Sequence, residues 1–318
     1  MDDSRKIGLL SIILISAFFA VQGLFGIEAY SYEEGSLYVH VMDVGQGDAI
    51  LIHTPQGKNI LIDGGPHDNI REPLSDIFGF GLHTIDEIYL THPHSDHFSG
   101  LITVMKKYFV EKVWYTGVVH TTPVFKEFLG EIKNQEIPLK LAESKETRSI
   151  DGVTIEIIYP DRNIQEKKDW VEDENGLNDT SIVMKVIYGE TSFLLVGDAE
   201  KALEDYLLQQ HAAVVIPAKA GIQEELDSIA SLQNDEFLKA DVLKIGHHGS
   251  KTSTQKKFLE VVNPEFAAIS YGENSYGHPH PSVINRLNKK GVQYFETQKN
   301  GTITFISDGY EIQTIVER

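Results

Sequence analysis

Two kinds of hydrophobic pattern divide the chain. Residues Ile7 to Ile27 form an almost uninterrupted apolar run, whereas from Leu37 onwards short runs of Val, Ile and Leu alternate with segments of helical periodicity. The segments SLYVHVMDV, DAILIHT and KNILID predict the strands of one β-meander, and VTIEIIYP, SIVMKVIYG and TSFLLVGD predict a second. Helices are expected near 71–78, 101–108, 123–134, 199–210, 255–262 and 281–290. Two strand-rich halves flanked by helices predict an α/β fold, a four-layer αββα sandwich over residues 37–318.

The N-terminal apolar run is long enough to span a bilayer, which takes about 20 apolar residues in a helix. Arg5 and Lys6 precede it, and three glutamates lie between positions 28 and 34. This order of charges places the N-terminus inside and the following chain outside the cytoplasm. A buried core helix is the alternative interpretation. We expect residues 1–30 to be a signal anchor or a cleaved signal peptide, so that the rest is extracytoplasmic, either membrane-anchored or secreted.

A segment at 211–235 interrupts the alternation of strands and helices. Its core, VVIPAKAGIQ, resembles the translated form of short palindromic repeats that invade bacterial reading frames. We therefore expect a tolerated insertion there, without a catalytic role.

Composition narrows the chemistry. The formal net charge of −19 argues against a broad basic face for nucleic acid, because such affinity comes largely from neutralising phosphates. Cysteine is absent, which excludes disulfide scaffolds, thiolate nucleophiles and cysteine metal ligands. Any metal must therefore be held by the 13 histidines together with carboxylates.

The segment THPHSDHFSG contains the strongest candidate site. His92 and His94 can point from one loop to a single ion, while Asp96 and His97 diverge towards a second ion. Imidazole and carboxylate ligands suit zinc, manganese or iron. The alternative is a solvated histidine-rich loop, but a cluster this tight is typical of a metal site.

This motif, placed between a strand and a helix, resembles that of the metallo-β-lactamase superfamily, and further landmarks follow in the same order. Asp63 in LIDGG resembles the family carboxylate that orients a histidine or the metal-binding loop. Asp198 in LLVGDAE resembles the carboxylate that bridges two cations, although alone it would be interpreted as a helix N-cap. In ADVLKIGHHGS the resemblance implies a ligand of the second metal, for which His247 is preferred to His248.

The superfamily usually has another histidine before the strand that leads to the bridging carboxylate. This chain has LNDTSIV there, so Asn178, Asp179 or water takes its place. The departure narrows the resemblance to the hydrolase domain of ComEC competence proteins, which share DVGQGDA, N-x-x-S, LKxGHHGS and a late SxGxNxYGHP. The last of these is SYGENSYGHP here, at 270–279.

For that branch the resemblance implies a dinuclear phosphodiesterase or nuclease with two zinc or manganese ions, acting on DNA or a smaller phosphodiester in a DNA-uptake machinery. Two cations would lower the pKa of a bridging water, whose hydroxide would attack phosphorus while Asp96 or Asp198 accepts the proton. His278 is the candidate proton donor to the leaving oxygen, with His248 as the second choice. Lys244 and Lys251 are candidate phosphate contacts. Further pocket or supporting residues are expected to be Asp43, Gln46, Asp48, Asp63 and Asn178.

Two other functions remain open from the sequence. A lactonase, thioesterase or β-lactam hydrolase would keep the metals but polarise a carbonyl group. A membrane-tethered binding module would keep the fold without activity, and it would require the loss of more ligands than one histidine.

Overall fold

The computed structural model describes residues 32–79, 81–144, 146–161, 164, 174–219 and 237–318. The predicted N-terminal segment at 1–30 and most of the predicted insertion, at 220–235, lie outside these residues. Within the described part of the chain, no helix combines the length and the apolar character needed to cross a membrane.

The first sheet has eight strands. In spatial order they are β17 (Ile312–Val316), β16 (Ile303–Ser307), β1 (Leu37–Val41), β2 (Ile50–His53), β3 (Asn59–Ile62), β5 (Glu87–Tyr89), β7 (Val113–Tyr115) and β8 (Leu139–Leu141). The predicted meander is confirmed by antiparallel pairing of β1 with β2 and of β2 with β3. From β3 to β8 the strands run parallel.

The second sheet repeats this plan with seven strands. In spatial order they are β15 (Gln293–Glu296), β14 (Phe266–Ile269), β13 (Val242–Lys244), β12 (Thr191–Leu195), β11 (Val183–Tyr188), β10 (Val153–Tyr159) and β9 (Thr147–Ile150). The strands from β9 to β12 are antiparallel, and those from β12 to β15 are parallel. A separate parallel pair is formed by β4 (Thr84–Ile85) and β6 (Phe109–Val110).

The helices cover the outer faces. They are α1 (Arg71–Phe78), α2 (Ser95–Lys107), α3 (Pro123–Asn134), α4 (Glu174–Asn178), α5 (Lys201–Lys219), α6 (Lys256–Val262), α7 (Pro281–Lys290) and α8 (Thr297–Asn300), with a 3₁₀ turn at Gly246–Gly249. The predictions for α1, α3 and α7 are confirmed to the residue. The prediction that α2 begins at Leu101 was wrong, because its first turn is made of polar residues from Ser95. Helix α5 continues past Gln210 into the expected insertion.

Three apolar clusters fill the spaces between the layers. One joins α1, α2 and α3 to the outer face of the first sheet, and another joins α5, α6 and α7 to the outer face of the second. The third lies between the sheets, where Val39 and Ile52 share a cluster with Val186 and Phe193. Strands with both faces covered need apolar residues at successive positions, as at Ile60, Leu61 and Ile62 of β3, which are all buried. The α/β sandwich with the layer order αββα is confirmed.

Candidate metal centre

The candidate ligands lie just beyond the carboxyl ends of strands from both sheets. His92 and His94 follow β5 of the first sheet, whereas Asp198 follows β12 and His248 follows β13 of the second. Each of these three strands has a parallel neighbour. The connections at these strand ends therefore meet at one edge of the sandwich.

Asp63 holds His97 in one orientation. Its carboxylate accepts a hydrogen bond from His97 Nδ1 at 2.7 Å and two more from the backbone N–H (2.8 Å) and hydroxyl (2.6 Å) of Thr91. In the neutral ring the Nδ1 proton makes this contact, so the lone pair that could bind a cation lies on Nε2. This nitrogen lies 3.3 Å from Asp198 Oδ2 and has no hydrogen-bond partner.

Asp198 is the centre of the cluster. Four imidazole nitrogens lie within 4.0 Å of its Oδ2: Nε2 of His97 (3.3 Å), His248 (3.4 Å), His92 (3.9 Å) and His247 (4.0 Å). Burial alone would raise the pKa of this carboxyl. The charges of His248, His97 and His247 outweigh burial and hold the pKa well below its ordinary value. Asp198 is therefore ionised, and imidazole rings approach its carboxylate from several sides.

His92 and His94 both direct a ring nitrogen towards the same point in the cluster. His92 Nε2 and His94 Nδ1 are 3.0 Å apart, a separation compatible with two nitrogens on one ion. On the far side of the His92 ring, Nδ1 contacts the hydroxyls of Thr91 at 3.0 Å and Ser181 at 3.3 Å. Ser181 also accepts the backbone N–H of Asp198 at 3.0 Å, so one hydroxyl links two of the candidate ligands.

The adjacent histidines His247 and His248 occupy different environments. Both have left-handed backbone angles, with φ of 43° and 53°, and their rings diverge. His248 is 1% exposed, bonds through Nδ1 to the carbonyl of Ser270 at 2.9 Å, and points Nε2 at Asp96 (3.5 Å) as well as Asp198. His247 instead places Nδ1 2.5 Å from Glu200 Oε1.

The donor set fits divalent cations. Three buried ligand atoms in the cluster lack any hydrogen-bond partner, namely His97 Nε2, His248 Nε2 and Asp198 Oδ1. Unsatisfied buried polar atoms are costly, and a cation coordinated by them removes that cost. Two groups of three residues each bring their ligand atoms within 4.8 Å of one another. They are His92, His97 and Asp198, and Asp96, His97 and His248.

A cavity of about 430 Å³ opens onto this cluster. Its lining residues are Gln46, His94, Asp96, Asn178, Asp198, His247, His248, Tyr276 and His278. Two lining side chains offer buried acceptors without partners, Gln46 Oε1 and Asn178 Oδ1. Burial, with His247 and His248 nearby, lowers the pKa of His278 to about 4, so its ring is neutral at pH 7.

The GQGD turn reaches the site through close backbone contact. Gly47 has a φ of 138°, and a Cβ there would lie 2.2 Å from the carbonyl oxygen of Asp96. The Asp48 N–H donates to the same carbonyl at 3.3 Å. Only a residue without a Cβ fits this position.

Three expectations from the sequence need correction. Asp43 does not line the cavity; its carboxylate pairs with Arg318 and accepts the N–H of Gly45. Lys244 does not reach a phosphate, because it is 1% exposed and its Nζ lies 2.7 Å from Asp48 Oδ2. Asp179 accepts the backbone N–H groups of Glu200 and Leu203 and so supports the start of α5 rather than replacing the missing histidine.

Several contributors were not assigned from the sequence. Ser181, Glu200 and Tyr276 all lie within the segments that carry the family resemblance, N-x-x-S, GDAE and SYGENSYGHP. Thr91 stands directly before His92. Their positions in these motifs were the available signal, but their contacts depend on strands that are distant in sequence.

Comparison with known proteins bears on the family of this chain. A sequence profile of the metallo-β-lactamase superfamily matches residues 42–273. The chain is 26% identical over 285 residues to ComE operon protein 3 of Bacillus subtilis (84% of this chain, 32% of that protein). It is 28% identical over 291 residues to competence protein ComA of Neisseria gonorrhoeae (90% and 35%). It is 29% identical over 284 residues to recombination protein 2 of Haemophilus influenzae (86% and 30%).

These alignments cover most of this chain, which spans about a third of the length of the curated relatives it matches. The profile match covers the segment THPHSDHFSG, Asp198, His247 and His248 within one continuous region. The chain therefore belongs to the metallo-β-lactamase superfamily of hydrolases and resembles ComEC-type proteins.

Proposed function

We propose that this chain is a dinuclear metal-dependent phosphodiesterase that acts on DNA or a related phosphodiester. The observation that carries the proposal is the position of the Asp198 carboxylate. It lies within 4.0 Å of ring nitrogens of His92 and His97 from the first sheet and of His248 from the second. A carboxylate in that position can be shared by two cations, which is the arrangement expected of a hydrolytic two-metal centre.

The distances suggest how the ligands divide. His92, His94 and Asp198 would hold one cation. Asp96, His97, His248 and Asp198 would hold the other, with His248 favoured over His247 because only His248 also faces Asp96. His247, joined to Glu200, is left as a wall of the cavity.

When bound, two divalent cations supply Lewis acidity towards a phosphoryl oxygen and lower the pKa of water. Asp96 is the best proton acceptor for an attacking water, since its side chain is 32% exposed to the cavity. Burial would raise its pKa, but the ring of His248, with Nε2 3.5 Å from the carboxylate, and the charge of His97 lower it well below the ordinary value. It is therefore ionised and able to accept a proton.

His278 would serve the leaving oxygen. In its neutral form the ring still donates one hydrogen bond, and an anionic phosphate bound nearby would raise its pKa. Its Nδ1 is buried without a partner. A bound substrate can therefore engage this nitrogen without breaking an existing contact.

Relatives named as competence and recombination proteins support a link with DNA uptake, and DNA is a phosphodiester of the kind proposed here. A net charge of −19 implies that any polyanion is held locally, at the metal centre, rather than along a basic face. We also propose that the apolar N-terminal run places this centre outside the cytoplasm, as an anchor or a signal peptide.

The test uses full-length protein in mild detergent, stripped of metal and reloaded with manganese or zinc. It should cleave single-stranded or duplex DNA and a chromogenic phosphodiester, and the paired substitution Asp96→Ala with His97→Ala should abolish cleavage. A chromogenic lactone is the comparison substrate. Turnover of the lactone with no cleavage of any phosphodiester would replace this proposal by carbonyl hydrolysis.

A further inference from the structure

Tyr276 stands at the mouth of the catalytic cavity with its side chain open to solvent. It is 73% exposed, although it is among the residues that line the cavity. Its ring centroid lies 5.8 Å from that of His278, which lies 5.2 Å from that of His247. The ring centroid of His248 lies 5.9 Å from that of His247, and the His248 ring is buried against Asp198. Neighbouring rings therefore connect the exposed Tyr276 with the candidate metal ligands.

The loop that carries Tyr276 is held in place by one side chain. Asn274 Oδ1 accepts the backbone N–H groups of Tyr276 (3.1 Å), Gly277 (3.0 Å) and His278 (3.0 Å). Its Nδ2 donates to the carbonyls of Gly272 and His278, both at 2.9 Å. The backbone that carries Tyr276 is thus ordered before a ligand arrives, which lowers the entropic cost of binding there.

The cavity provides little other means of holding the parts of a nucleotide that flank the phosphate. Among the described residues that line it, none is Lys or Arg, and Lys244 is buried against Asp48. Proteins that bind single strands combine positive charge near the phosphates with aromatic side chains on which the bases stack. Tyr276 is the one tyrosine in this described lining and presents its ring to solvent.

We propose that Tyr276 determines substrate class by stacking on an unpaired nucleobase next to the scissile phosphate. This inference rests on the proposed phosphodiesterase function and deepens it. The faces of a base inside a duplex are covered by its neighbours, whereas an unpaired base can stack on a side chain. The site therefore favours single strands and frayed ends over the interior of a duplex.

The test compares two chromogenic esters with the same leaving group, thymidine 5′-(p-nitrophenyl phosphate) and methyl p-nitrophenyl phosphate. Only the first carries a base. In metal-loaded full-length protein, Tyr276→Ala should lower the ratio of kcat/KM for the thymidine ester to that for the methyl ester by roughly 5- to 100-fold, mainly through KM. Tyr276→Phe, which keeps the ring, should preserve the ratio.

Tyr310 provides a matched control, because it is 74% exposed and lines a different surface cavity. Tyr310→Ala should leave the ratio unchanged. An unchanged ratio in Tyr276→Ala, or an equal fall in Tyr276→Phe, would overturn the stacking role while leaving phosphodiester hydrolysis intact.

Binding gives a second measurement that does not depend on turnover. A short phosphorothioate oligothymidylate should bind Tyr276→Ala roughly 5- to 100-fold more weakly than wild type, by calorimetry with metal present. If neither ester is hydrolysed, the proposed function fails, and this titration alone decides the role of Tyr276. Equal affinity of wild type and Tyr276→Ala for the oligothymidylate would then refute the stacking role.

Discussion

Lys244 and Asp48 form an ion pair beneath the metal centre, with 2.7 Å between Nζ and Oδ2 and side chains that are 1% and 2% exposed. Removing one member of such a pair leaves an uncompensated buried charge. Lys244→Met should therefore lower the free energy of unfolding by about 3–5 kcal/mol, measured by urea denaturation. Combining it with Asp48→Asn should restore part of this loss.

The control is Lys201→Met, which removes the partner of Asp205 in a pair whose side chains are 65% and 43% exposed. An exposed pair contributes about 0–1 kcal/mol, so this change should have little effect. Equal losses in the two lysine variants would mean that the buried pair has no special importance for stability.

The two adjacent histidines should differ in metal binding. His248→Ala is expected to reduce the bound metal from two ions per chain towards one, because His248 Nε2 faces both Asp96 and Asp198. His247→Ala should retain both ions, since His247 Nε2 lies 4.0 Å from Asp198 and is in none of the compact groups of potential ligand atoms among the described residues. Metal content after gel filtration, measured by mass spectrometry, distinguishes them. The reverse result would favour His247 as the ligand, as the sequence predicts.

Asp63→Asn should weaken metal binding by about 10- to 100-fold without removing a ligand. The amide has one acceptor oxygen where the carboxylate accepts three hydrogen bonds, from Thr91 and His97. The orientation of the His97 ring is then lost. Competition with a chromogenic chelator measures the affinity. Asp43→Asn, at the surface pair with Arg318, should leave that affinity unchanged.

Glu204 should make stability depend on pH. It is 1% exposed, and burial raises its pKa from 4.5 to about 8 despite hydrogen bonds from the backbone N–H groups of Thr254 and Gln255. Between these two values the folded protein binds more protons than the unfolded chain. The stabilising contribution is therefore complete below pH 4.5 and is lost as the pH rises through 8.

The measurement is the free energy of unfolding of metal-free protein at pH 5 and pH 8, for wild type and Glu204→Gln. Wild type should lose more stability over this interval than the variant, whose amide does not titrate there. Parallel losses would show that Glu204 is not the titrating group.

Much of the fold was predictable because periodicity reports burial directly. The bounds of α3 and α7 follow from apolar positions at helical spacing after Pro123 and Pro281. The start of α2 was predicted too late for a related reason. Its first turn contains Ser95, Asp96 and His97, so the apolar pattern begins only after the residues that matter for metal binding.

The candidate ligands were identifiable, but their individual environments were not. His247 and His248 are neighbours in sequence, yet His248 Nε2 faces both Asp96 and Asp198, whereas His247 Nδ1 faces Glu200. The pairing of Asp43 with Arg318 joins residues near opposite ends of the domain. Contacts of this kind depend on how the sheets assemble, and a local pattern carries no information about them.

The candidate ligands come from both sheets, His92 to His97 from the first and Asp198 with His248 from the second. A cation bound to both groups is a crosslink between the two halves of the sandwich. Because it binds only the assembled form, metal at 100 times its dissociation constant would add about 2.7 kcal/mol to the folded state. The supply of metal around the protein would therefore govern its survival against heat and proteases as well as its catalytic competence.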